Sequence, residues 1–243
     1  MKLKGEMVIE LTDTNTGAVE TVQETNMITE AVNNILGLNP MGIYLKASGE
    51  YDNSVLWNGT LLPICPNMIG GILLFPAVLE EKADHIYEQG KNLPVAYASN
   101  NVNSGSNVAR GSLNQTESKK LDNGYKFVWE FTPSQGNGNI AAVALTSALG
   151  GQNAFGSAAG DFQITADDRV IKTQGNARFE AMATPLFQYK NFVFMWGGSY
   201  GKEHRCAYLL TPYLASINNL SSAVVKNTDK TMKITYTLTE ETM

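Results

Sequence analysis

The sequence predicts a mainly β protein: an antiparallel β-sandwich or jelly-roll-like fold with one or two short helices and long loops. Three observations carry that expectation. Short runs of alternating apolar and polar residues recur along the chain, Gly/Asn/Asp/Ser clusters separate them, and nothing alternates strand and helix patterns as a parallel sheet requires. The 243 residues suffice for one large β domain with a core of its own. A single domain over 1–243 is expected, with an N-terminal hairpin-helix element over 1–37 and an extended loop or arm over 148–160.

Taken in order, residues 6–12 (EMVIELT) and 18–24 (AVETVQE) alternate around the cluster DTNTG, a β-hairpin signal. Asp13, Asn15 and Gly17 have the spacing of the opening of a calcium loop, but the acidic residue that closes such a loop is missing. Asn26 is placed to cap a helix whose apolar stripe is Met27, Ile28, Ala31, Val32, Ile35 and Leu36, with Gly37 at its stop. That stripe predicts packing on a sheet. Short apolar pieces follow at 42–47, 54–57 and 69–75, with Asn58-Gly59 as a tight turn. Residues 76–123 read as a long excursion, and NNVNSGSN at 100–107 as a surface loop.

The clearest strands come next. YKFVWEFT at 125–132 follows the turn Asp122-Asn123-Gly124, and NIAAVALT at 139–146 lies six residues further on, so the two predict a hairpin. Residues 148–160 are low in complexity and rich in Gly, Ala and Ser. Further strands are predicted at 178–182, 191–196, 205–210, 223–226 and 230–239. The last, KTMKITYTLT, puts Met232, Ile234, Tyr236 and Leu238 on one face and Thr231, Lys233, Thr235 and Thr237 on the other, a half-buried strand with one wet side.

Charge and composition narrow the function classes. Lys plus Arg is 18 and Asp plus Glu 23, a net charge of −5, and charged residues make up only 17%. So few cations disfavour nucleic-acid binding, which depends on neutralising phosphates. The apolar stretch 68–79 is interrupted by Pro76 and is far short of the roughly 20 residues that span a bilayer. No apolar run follows Lys2 and Lys4, so no secretory signal is expected. Cys65 and Cys206 read as free thiols, with a disulfide left open. The sequons at Asn58, Asn114 and Asn219 are expected to be chance products of an Asn- and Thr-rich chain.

Motifs for catalysis are missing. His85 and His204 lack ligand partners at metal spacing; His204 and Cys206 alone do not make a zinc site. There is no G-x-S-x-G, and Gly70-Gly71 and Gly197-Gly198 do not sit in phosphate-loop motifs. Glu117, Asp122, Glu130, Asp161 and Asp168 are the acids that folding could gather into a pair about 5–10 Å apart, as glycosidases need; solvated surface acids are the expectation. No enzyme activity, cofactor or metal is therefore predicted. The aromatic run 189–200 (YKNFVFMWGGSY) is dense. Core burial is the first expectation for Trp129 and Trp196, and the alternative is a glycan- or partner-contact platform of Tyr189, Trp196 and Tyr200.

Several stretches resemble phage and prophage virion proteins of Gram-positive hosts: GEMVIELTDTNTGAVETVQETNMITEAVNNIL at 5–36, GGILLFP at 70–76, RGSLNQTES at 110–118, GYKFVWEFTPSQGNGNIAAVALT at 124–146 and the terminal KTMKITYTLT. The 124–146 stretch also resembles phage fibre-attachment proteins through a G-x-I-x-x-x-x-L strand, here Gly138, Ile140 and Leu145, leading to Gly150-Gly151. It departs from them where an Ala/Gly-rich stretch replaces a charged turn. The resemblance implies a non-enzymatic tail, baseplate or fibre subunit, assembled in the host cytoplasm and resident in the virion. Its implied partners are copies of itself, in a ring or trimer, and other virion proteins. The alternatives are a receptor- or glycan-binding module, with a host cell-surface receptor as partner, and a capsid fibre or decoration protein.

Overall fold

The computed structural model describes residues 3–32, 69–86, 88, 92–146 and 213–241 with their side chains, and Lys2 and six further strand segments as backbone alone. In chain order the strands are β1 (Lys2–Asp13), β2 (Val19–Thr25), β3 (Met27–Ile28), β4 (Lys46–Ala47), β5 (Gly71–Phe75), β6 (Ala96–Ala98), β7 (Ser112–Leu113), β8 (Lys119–Leu121), β9 (Gly124–Phe131), β10 (Gly138–Thr146), β11 (Phe162–Ile164), β12 (Ile171–Thr173), β13 (Leu186–Tyr189), β14 (Phe192–Gly197), β15 (Cys206–Leu209), β16 (Ser216–Lys226) and β17 (Lys230–Glu241). The first sheet runs β2-β1-β17-β9-β7, with β8 also on β9, and the second runs β3-β16-β10-β5-β6. Smaller sheets are formed by β11-β12 and by β15-β14-β13-β4.

The fold is β-sandwich-like, as the alternation predicts. Alternation aims Met7, Ile9 and Leu11 of β1, Trp129 and Phe131 of β9, and Met232, Ile234 and Tyr236 of β17 into one core, where they meet Ile72, Leu74, Ile140, Val143, Leu145 and Val224 of the second sheet. The expected faces of the 230–239 strand are observed: Met232, Ile234 and Tyr236 are buried and the intervening threonines half-buried. The second sheet is covered on both sides, because Leu73, Phe75, Tyr97, Ala142, Ala144 and Ile217 form another cluster with Leu79 and Leu214. A strand buried on both faces has no polar side, so β5 and most of β10 read as unbroken apolar runs. The ladder between β10 and β16 shifts register: Ile140 opposes Val224 and Ala142 opposes Asn219. This bulge resets the phase, so Ile140 and Val143 both reach the inter-sheet core.

Two expectations are corrected. The 125–132 and 139–146 runs are strands, but they lie in different sheets, so they form an arch and not a hairpin. Six connecting residues reach up to ~20 Å and cross the ~10 Å between sheets easily. The helix predicted from Met27 also fails at its start: Met27 and Ile28 pair with Ile217 and Ser216 as β3. Helical conformation among the described residues covers 30–32, and 33–37 lie outside them. Thr29, not Asn26, takes the capping position, its hydroxyl accepting the Ala31 N–H at 3.3 Å. The excursion over 76–123 contains β6, β7 and β8, each too short to show a period. The pieces at 54–57 and 178–182 and the arm over 148–160 lie outside the described residues.

Asn26 sits where the chain leaves the first sheet for the second. Its Oδ1 accepts the Gly5 N–H at 2.8 Å and its amide donates to the Tyr236 hydroxyl, which also bonds Ser216 of the second sheet. Gly5 is required here, since a Cβ would run into the Asn26 amide and the Tyr236 hydroxyl. Burial pushes the Tyr236 phenol well above its ordinary pKa. Tyr236→Phe leaves Asn26 and Ser216 each short of a partner, and we expect a loss of about 1–3 kcal/mol. A urea melt tests this: the midpoint should fall at unchanged slope, and an unchanged midpoint would refute the clasp.

Candidate functional surfaces: the outer face and edges of the first sheet

The outer face of the first sheet carries the polar phase of β1, β17 and β9. Lys233 lies at its centre, with Nζ 3.5 Å from Glu10 Oε2 and 3.4 Å from Glu117 Oε2. Asn114 donates to Glu130 Oε1 at 2.7 Å and to Glu117 Oε1 at 3.3 Å. Of the five acids singled out in the sequence, the fold thus gathers Glu117 and Glu130. Asp122 goes to the β8–β9 turn, and Asp161 and Asp168 lie outside the described residues. Burial lowers the Lys233 pKa, but Glu10 and Glu117 outweigh it and the net shift is upward. These groups are a third or more exposed, so each pair contributes little to stability. The patch is polar, with three carboxylates around one ammonium.

The two edges of this sheet differ in charge. Residues 5–45 contain Glu6, Glu10, Asp13, Glu20, Glu24 and Glu30 and no Lys, Arg or His. Lys4 and Lys230 reach Glu6 and Glu20 at 2.8 and 3.1 Å, while Glu24 accepts the Ser221 N–H at 2.9 Å and meets no cation among the described residues. Asp13 serves its own turn: it accepts the N–H groups of Asn15 and Thr16 and the Thr16 hydroxyl, and these bonds hold its carboxyl below the usual range. The carboxylate at the opening position of the calcium-loop spacing is thus occupied by its own turn. At the other edge, Lys119 and Lys120 of β8 are exposed, and Lys119 stands directly opposite Lys126 of β9.

A ladder of rings climbs β9 out of the core. Trp129 is fully buried, as expected, and its indole N–H donates to the Ser99 carbonyl at 3.1 Å. Phe127 stacks on it with centroids 5.4 Å apart and planes 7° apart, and Tyr125 follows at 4.5 Å and 40°, with 38% of its surface exposed. This ladder was missed in the sequence, where only i, i+2, i+4 spacing marked it. Of the contact residues expected there, Tyr189 ends β13 and Trp196 lies in β14, while Tyr200 lies outside the described residues. The β13–β14 register pairs Phe187 with Phe194 and Tyr189 with Phe192. Phe187, Tyr189, Phe192, Phe194 and Trp196 therefore stand in one alternation phase.

Side-chain amides tie the loops to this frame. Asn219 accepts the Leu79 N–H and donates to the Leu79 carbonyl, both at 2.8 Å, holding the 76–86 segment on the second sheet. Asn114 caps its own turn through the N–H groups of Thr116 and Glu117. Two of the three sequon asparagines are thus structural. His85 lies between the Glu80 carbonyl and the Glu88 carboxylate, each at 2.8 Å. Among the described residues Lys226 is the one charged side chain that is buried, 1% exposed. Its ammonium donates to Thr132 O at 2.9 Å, Pro133 O at 3.1 Å, Asn137 Oδ1 at 2.8 Å and Asn227 O at 3.2 Å.

Among the described residues no group of three or more His, Cys, Asp or Glu could hold a metal ion, and no helix is long and apolar enough to cross a membrane. No protein family, curated protein or solved structure matches the chain.

Proposed function

We propose that this chain is a structural subunit of a bacteriophage virion, in the tail, baseplate or fibre. It acts through contacts with copies of itself and with other virion proteins, without catalysis. The observation that carries the reading is where the resembling phrases fall. The 5–36 phrase holds most of β1 and all of β2 and β3, GGILLFP holds β5, RGSLNQTES holds β7, the 124–146 stretch is β9, the arch and β10, and KTMKITYTLT lies in β17. These strands frame both sheets, so the likeness follows the scaffold and not one loop.

Antibody labelling of purified particles, with mass spectrometry of their proteins, tests it. The chain should be present and the label should sit on the tail. Label on the head would move it to a capsid fibre or decoration role, and absence from particles would refute a virion role.

A receptor- or glycan-binding module is the second reading. It is favoured by the single phase shared by Tyr189, Trp196 and three phenylalanines of the β13–β14 ladder. Binding to a glycan array that is lost in Trp196→Ala, with the melting temperature kept, would support it. An empty array would remove it.

A further inference from the structure

We propose that the first sheet meets a second copy of this chain head to tail, the acidic β2 edge of one copy lying against the lysine-bearing β8 edge of the next. The inference rests on the homo-oligomeric reading above and names the surfaces it uses. β2 and β8 lie on opposite borders of one sheet, in the order β2-β1-β17-β9 with β8 on β9. Four strand spacings put them roughly 19 Å apart. That exceeds the ~8 Å screening length at physiological salt, so the two edges cannot neutralise one another within one molecule.

On the β2 edge Glu20 pairs with Lys230 and Glu24 accepts the Ser221 N–H, so Glu24 is the carboxylate there that meets no cation among the described residues. Lys119 and Lys126 face each other across the β8–β9 ladder, a like-charge pair that opposes local pairing. No ion pair or side-chain hydrogen bond engages Lys119, Lys120 or Lys126 among the described residues. At the other border β2 runs seven residues with Glu20 and Glu24 and no basic residue, and most of its positions are exposed. A free strand edge presents unpaired backbone groups and invites another strand. Lysines on one edge and glutamates on the other reject pairing of like edges and accept pairing of unlike ones. Unlike patches on one subunit make a heterologous contact, which closes into rings or continues as a filament. Inward glutamates and edge lysines also guard sheets against aggregation, and the experiment separates that role from docking.

Three proteins are compared by sedimentation and light scattering at low and high salt: wild type, Glu20→Lys/Glu24→Lys, and Lys119→Glu/Lys120→Glu. Thr21→Lys/Gln23→Lys replaces the first variant should it fail to fold; it keeps both glutamates and adds two positive charges at exposed β2 positions, half the change of the first variant, so it should weaken assembly less. Wild type should assemble, more weakly as salt rises. Each variant alone should need about a tenfold or higher concentration for half-assembly. An equimolar mixture of the two variants should restore assembly in alternating order. A wild type that assembles while both variants assemble equally well would overturn the edge contact and leave the homo-oligomer standing. A wild type that stays monomeric would overturn both. A monomer that phosphocellulose retains through Lys119 and Lys120 would replace the second copy with an external polyanion.

Discussion

Lys226→Met should destabilise the protein by about 2–4 kcal/mol and loosen one pole of the sandwich. The ammonium is surrounded by oxygens from two connections. Thr132, Pro133 and Asn137 belong to the arch between β9 and β10, and Asn227 to the corner between β16 and β17. Both connections cross between sheets, so one side chain holds two corners. Methionine fills the stem's volume but leaves these acceptors without the donor. The Gly136 backbone of the same arch has φ of +64°, a turn conformation that glycine adopts without strain. Burial lowers the Lys226 pKa to about 8. Between pH 8 and the ordinary 10.5 the unfolded chain therefore holds more protons than the folded one, and wild-type stability rises with pH across that window. The four oxygens favour the charged form and hold the gain to about 1–2 kcal/mol. Lys226→Met lacks this slope, so the gap between wild type and variant should widen from pH 8 to 10. Urea melts at several pH values read both effects. A constant gap would show that the four oxygens keep the amine at its ordinary pKa, and an unchanged midpoint at pH 7 would remove the latch altogether.

The strands that one-sided burial shapes were legible in the sequence. β1 and β17 alternate because one side faces the inter-sheet core and the other faces water, and their periods predict the buried set Met7, Ile9, Leu11, Met232, Ile234 and Tyr236. What escaped has a different physical origin in each case. β6, β7 and β8 span two or three residues, which is too short for any period. The arch between β9 and β10 has the same length and turn chemistry as a hairpin, and what distinguishes them is the partner sheet, a tertiary fact. Met27 and Ile28 fit a helical stripe and a strand equally well, and the free edge of β16 decided between them. The amide roles of Asn26, Asn114 and Asn219 could not be read either. A side-chain amide takes whichever backbone group the fold brings near: Asn26 bonds Gly5, and Asn219 bonds Leu79, 140 residues away. Lys226 reads in the sequence as an ordinary strand-end charge, and only its burial singles it out. Of the expected contact residues, Tyr189 and Trp196 lie on β13 and β14 and Tyr200 lies outside the described residues. The acid pair of Glu117 and Glu130 is gathered by Asn114, a residue the sequence had marked only as a sequon.

Trp129→Ala should have the largest effect of any single truncation, about 3–5 kcal/mol. Trp129 is among the largest fully buried side chains and packs in the inter-sheet core with Phe131 and Tyr236. The loss has three parts. The cavity left by the indole cannot collapse, because the β9 backbone is held by β17 on one side and by β7 on the other. The stacked contact with Phe127 disappears, and with it the anchor of the ladder that carries Tyr125 to the surface. The Ser99 carbonyl loses its indole donor where water has no access, as Ser99 is 0% exposed. Against a typical total of 5–15 kcal/mol, the variant should melt roughly 10 °C lower or fail to accumulate. Trp129→Phe separates the parts: it keeps most of the packing and removes only the hydrogen bond and part of the ring, so it should lose about half as much. Tyr125→Ala, at the exposed end, should lose under 1 kcal/mol. Thermal and urea melts of the three variants measure the gradient. Equal losses for Trp129→Ala and Tyr125→Ala would mean that the ladder's energy is spread evenly along β9 and not concentrated at its buried foot.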